Sequence, residues 1–131
     1  MKLTTVLIWA LRLVAAIIML QTLYFKFTGH PQSVELFKTI GMEPWGRIGT
    51  GVLELVASIL ILYPRTTGFG AALGLGLMSG ALFFHLFTSL GIEVDGDPVL
   101  FIYAVITFLC CLILLIIYRS QIFQLLKPKR V

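Results

Sequence analysis

Four side chains with chemistry to offer sit in apolar company in this chain: Arg12, Lys26, Glu54 and His85. Glu54 is flanked by Leu53, Leu55 and Val56. A carboxylate there is costly in hydrocarbon unless it faces protein or trapped water. Arg12 stands between Leu11 and Leu13, also at mid-depth of an apolar run. Pairing is the usual way a membrane protein tolerates such groups, so an Arg12–Glu54 ion pair inside a bundle is expected. On that reading the pair fixes helix register and does no chemistry. His85 ends the run GALFFH. An imidazole changes charge near neutral pH, so with Glu54 it could form an acid–base route from mid-membrane to the surface. Its plainer role is a hydrogen-bonded packing residue. No nucleophile, phosphate loop or metal-ligand cluster accompanies these groups, and Glu54 with His85 does not define a metal site. Met78 shares a helical face with His85. The set expected to line the core is therefore Arg12, Lys26, Glu54, Met78 and His85.

Composition fixes the solvent in which these groups must be held. The 131 residues suit one domain, are 59% hydrophobic and only 12% charged, and have a mean hydropathy of +1.01. A soluble domain carries about twice that charged fraction, so the bilayer is the expected medium. The net charge is +4, but the bases sit at segment ends and are not interleaved with aromatics, which argues against nucleic acid as a partner. Cys110 and Cys111 are adjacent in an apolar run, a spacing that gives neither a disulfide framework nor a zinc site. Two small buried side chains is the plain reading; a redox pair would need a distorted helix.

Four apolar segments of spanning length position the chemistry: about 3–25, 44–63, 67–90 and 98–118. The first resembles a signal peptide, but Arg12 interrupts it and no small-x-small cleavage site precedes Gln21, so it is read as a retained span. Lys26 follows Arg12 by fourteen residues, roughly 40° off the same face, with Ala15, Ala16 and Met19 between them. In the second span Arg47, Gly51, Glu54 and Ser58 form a narrow polar stripe that should face inward. In the third, Gly70/Gly74 and Gly76/Gly80 are small-xxx-small pairs that permit close helix approach. Gly74, Met78, Ala81 and His85 share one of its faces. Tyr103, Thr107, the cysteines and Leu114 mark a face of the fourth.

The connections complete an all-α, four-span bundle forming one membrane domain over residues 1–131. His30-Pro31 opens a short amphipathic helix over about 31–40, with Val34, Phe37 and Ile40 on one face and Gly41 as its C-terminal cap. Trp45 suits the interface. Glu93, Asp95 and Asp97 make an acidic loop, and Asp97-Pro98 reads as an N-cap followed by proline at the first helical position. Lys2, Arg65, Arg119, Lys127, Lys129 and Arg130 outnumber the bases at the other end, so both termini are expected in the cytoplasm, in a bacterial inner membrane.

The residues around Arg12 (LRL), Lys26, the stretch GTGVLELVASILIL containing Glu54, and GFGAALGLGLMSGALFFH ending at His85 together resemble the DoxX-like family of small four-helix membrane proteins. Where that family usually has a glycine before the lysine, this chain has Thr22 and Leu23. The resemblance implies an accessory role, since some relatives are subunits of membrane oxidoreductases, including a thiosulfate:quinone oxidoreductase, or associate with redox-defence proteins. Distant animal relatives are assembly chaperones for nicotinic receptors. The expected function is thus a small accessory or binding subunit, such as one serving a quinone-linked oxidoreductase, whose core holds an apolar small molecule such as a quinone or lipid. Two other readings stand beside it: a membrane enzyme using Glu54 and His85 for proton-coupled chemistry on a lipophilic substrate, and an assembly chaperone. The last would recruit a membrane-protein partner or a second copy through Gly70 and Gly74.

Overall fold

The protein is described by a computed structural model covering residues 2–88, 91–93 and 98–126. Among the described residues six helices follow one another: α1 (Leu3–Thr28), α2 (Pro31–Thr39), α3 (Trp45–Leu62), α4 (Thr67–Phe87), α5 (Val99–Ile117) and α6 (Arg119–Leu126). α1, α3, α4 and α5 are each long and apolar enough to cross a bilayer. No strand occurs among the described residues. The chain is an all-α, four-span membrane bundle with an amphipathic helix in its first connection.

The spans form a ring. α1 packs on α3 and α5, and α4 packs on the same two, while α1 and α4 face each other across the centre. The short α3–α4 turn makes those two antiparallel neighbours. Leu7, Ile17, Ile59, Leu109 and Ile116 point outward and are exposed, the surface that lipid tails would cover.

Packing is uneven along the bundle axis. Thr107 is buried at mid-depth, and Ala15, Ala57, Ser58, Ile61, Thr67, Ala71, Cys111 and Leu114 are completely buried and lie toward the half that holds the α3–α4 turn. There Gly70 permits the closest helix approach, because a Cβ on it would come within 2.6 Å of Ile61 N and 2.8 Å of Ala57 O. Gly74 meets α5, where its Cβ would lie 2.7 Å from Cys111 Sγ. These two glycines are spent inside the bundle and do not face outward for a partner helix. The half under α2 is looser and contains a cavity.

The helix ends differ from expectation in three places. α1 runs to Thr28 before Gly29 turns the chain in the left-handed region at φ 70°. Pro98 is the N-cap of α5, not its first helical residue, and Asp97 lies outside the described residues, as do Ser89, Leu90 and Asp95. No helix is expected beyond residue 118, yet α6 folds back so that Gln121 Nε2 donates to Pro64 O (2.8 Å) and Gln121 Oε1 accepts from Gly68 N (2.7 Å). Those bonds satisfy one of the orphan amides in the first turn of α4. Lys127, Lys129 and Arg130 lie outside the described residues.

Candidate functional site

α3 carries the stripe Arg47, Gly51, Glu54 and Ser58 into the interior, where all four are buried. Glu54 is 4% exposed, and its counter-charge is Lys26, not Arg12. Lys26 Nζ lies 3.3 Å from both carboxylate oxygens. Thr22 Oγ1 is 3.0 Å from Glu54 Oε2 and 2.8 Å from Met19 O, dividing its single proton between them.

The expected Arg12–Glu54 pair is overturned by the register of α1 against α3. Arg12 Nε donates to Ile61 O (2.9 Å) and Nη2 to Leu62 O (2.6 Å), at the C-terminal end of α3. Helix C-termini present unpaired carbonyls and the negative end of the backbone dipole, so a guanidinium is satisfied there without a carboxylate. Trp9 stacks beneath it, with Arg12 Cζ 3.7 Å from the ring centroid. Arg12 shares α1's inward face with Lys26 but sits roughly 20 Å away along the helix, at 1.5 Å per residue. It is a structural clamp and does not line the cavity.

A second ion pair flanks the first. Arg47 grips Glu43 with two nitrogens, Nε at 2.9 and 3.0 Å and Nη2 at 2.9 Å, and its Nη1 donates to Lys26 O. This ties the start of α3 to the last turn of α1 and presents the Lys26 ammonium to Glu54. Sequence reasoning placed Arg47 on the inner stripe but did not find Glu43. Their i,i+4 spacing was the available signal.

His85 is 5% exposed near the end of α4. Its Nδ1 lies 2.8 Å from Gly91 O, and its ring meets Phe101 edge-on at 5.7 Å. A carbonyl can only accept, so Nδ1 carries the proton. His30 is the reverse case. Its Nδ1 accepts from Gln32 N (3.3 Å), capping α2, with Pro31 in the first helical position.

Between these groups lies a cavity of about 450 Å³. Glu54, Lys26 and Thr22 form one wall. His85, Met78, Phe84 and the bare backbone at Gly76 and Gly80 form another. Val99, Leu100, Tyr103 and Ala104 of α5 close a third side, and Ser33, Leu36, Phe37 and Ile40 of α2 roof it. The roof helix is terminated by Gly41 at φ 75°, where Met42 N bonds back to Phe37 O at 2.8 Å. Lys26, Glu54, Met78 and His85 therefore share one cavity, while Arg12 is elsewhere. Gln21 also lines it. Among the described residues no three His, Cys, Asp or Glu side chains converge as metal ligands. Cys110 and Cys111 are free thiols, both buried. Thr107 Oγ1 is buried with no hydrogen-bond partner among the described residues, and nothing in the structure accounts for it.

A multi-pass bundle with a buried acid–base pair on the wall of a roofed apolar cavity is the class that fold and site define. The chain belongs to the DoxX-like family, whose profile matches residues 10–113 and so takes in all four spans. No protein of curated function and no solved structure matches the chain.

Proposed function

We propose that this protein is an accessory or binding subunit that holds an apolar ligand, such as a quinone or lipid, in the cavity beneath α2. The observation that carries this reading is the cavity itself. Its volume of about 450 Å³ falls in the range of small-molecule sites, and its mostly hydrocarbon wall is punctuated by a few fixed polar groups, Glu54, Lys26, Thr22 and His85. Such a wall solvates a lipophilic body while the polar groups orient one end of it.

Native mass spectrometry of the full chain, released from mild detergent, tests the proposal. The expected result is a lipophile that stays on the wild type and is lost from Glu54→Ala. A bare wild-type mass, with detergent alone retained, would sink it.

One observation favours a second reading, proton-coupled chemistry on a lipophilic substrate: Glu54 and His85 line the same cavity. A catalyst would leave chemically altered molecules in the wild-type protein and the unaltered form in Glu54→Gln. Identical bound species in both favour plain binding. The assembly-chaperone reading loses its main support, because Gly70 and Gly74 pack against α3 and α5.

The excess of bases beside the N-terminus, the α3–α4 turn and the tail supports a bacterial inner-membrane location with both termini cytoplasmic. In that orientation α2 and His85 lie toward the outer face.

A further inference from the structure

The charges around the cavity cancel. Lys26 is neutralised by Glu54 at 3.3 Å, and Arg47, just behind them, by Glu43 at 2.9 Å. No other ionised carboxylate, lysine or arginine lines the cavity among the described residues. An anionic head group would find no spare cation, and a cationic one no spare carboxylate. Burying an uncompensated ion in such a place is strongly unfavourable.

The two imidazoles on the lining are held as opposite tautomers. His85 gives its Nδ1 proton to Gly91 O, which leaves Nε2 of the neutral ring with a lone pair. His30 spends its Nδ1 lone pair on Gln32 N, so its proton is on Nε2. Among the described residues nothing bonds to either Nε2. Both rings line the cavity, one with an Nε2 that accepts and the other with an Nε2 that donates. A hydroxyl is a neutral group that satisfies either, because it both donates and accepts, and an Nε2 lone pair requires a donor hydrogen. A carbonyl or ether oxygen cannot serve His85, because it has no proton to give.

We infer that the cavity selects an uncharged lipophile bearing a hydroxyl group, with that O–H donated to Nε2 of His85, and discriminates against ionised lipids of the same length. This rests on the binding reading above and narrows its ligand class.

Three matched probes test it on the full chain in neutral detergent: para-nonylphenol, its methyl ether, and para-nonylbenzoate, the last ionised at neutral pH. Native mass spectrometry reads occupancy. The phenol should bind about tenfold more tightly than the ether, the worth of one hydrogen bond to a buried acceptor. The benzoate should bind more weakly than the phenol by at least as much. In His85→Phe the phenol and ether should become equal within about twofold, because the apolar contacts persist and the acceptor is gone. Gly80→Leu fills open space, since no atom lies within 4 Å of a Cβ there, so it should fold and exclude all three probes. A benzoate that matches or exceeds the phenol, or an ether equal to it on the wild type, overturns the ligand class while leaving the binding function intact. Phenol preference unchanged in His85→Phe overturns the role of that ring. If His85→Phe does not fold, the wild-type ranking alone decides. A wild type that retains none of the probes and no native lipophile overturns both proposals.

Discussion

Glu54 is held by one ammonium and one hydroxyl, both from α1, so the cost of removing its partner is specific to Lys26. Lys26→Met leaves a buried carboxylate without a counter-charge and should cost about 3 kcal/mol, at the low end for a broken buried pair because the lysine keeps some exposure. Pairing that change with Glu54→Leu should recover most of the loss, since apolar replacement of both partners is often near neutral. Thermal melting in detergent reads both. The same method separates Arg12 from Glu54. A cycle of Arg12→Leu and Glu54→Gln should be additive within about 0.5 kcal/mol, as befits groups that share no partner. Coupling above 1 kcal/mol would restore the pair expected from sequence. The face of four polar residues was legible: periodicity put Arg12, Lys26, Glu54 and His85 inside, and all four are buried or nearly so. Partnership was not legible, because it depends on which turn of α3 lies beside which turn of α1. Helical spacing within one span cannot give that register. The tautomers were hidden for a related reason, since they follow from Gly91 O and Gln32 N, backbone groups that a side-chain pattern does not reveal.

At the scale of elements, the glycines of α4 divide by what lies beside them. Gly70→Ala would drive a methyl into the backbone of α3 at Ile61 and Ala57, which cannot yield as a side chain can. It should lower the melting temperature markedly or abolish folding. Gly76→Ala meets nothing within 4 Å and should stabilise by about 0.8–1 kcal/mol through helix propensity alone. Equal effects of the two changes would contradict the packing described here. Gln121→Ala removes both bonds that α6 makes to the α3–α4 corner and should cost about 1 kcal/mol. The small-residue pattern in the sequence located close approach on this helix but not its direction, since a glycine serves an inner neighbour and an outer one equally well. α6 was missed outright. Its sequence RSQIFQLL is short and mixed, with too little apolar repetition to announce a helix, and its purpose is a pair of hydrogen bonds to a turn far away in sequence.

For the molecule as a whole, four apolar spans were plain from hydropathy, because a segment that must satisfy its own backbone in lipid has few ways to do so. The cavity was not, since empty space is a property of how helices diverge. The proposed topology is checked by reporter fusions. A fluorescent protein that matures only in the cytoplasm should shine when joined after Val131, and a periplasmic phosphatase at the same place should be inactive. The reverse result would invert the orientation drawn from the bases.

The tapered packing has a consequence for motion. At one end Arg12 staples the last carbonyls of α3, Gly70 lets two backbones touch, and most of the completely buried side chains among the described residues gather there. At the other end the spans enclose a void under a nine-residue roof that, among the described residues, leans on α1 and α3. Such a body should behave like a clothes-peg, stiff at the spring and compliant at the jaws. Amide exchange should therefore be graded within single spans, slow in α3 around Ile61 and faster around Thr50, so that each helix reports its own position along the taper.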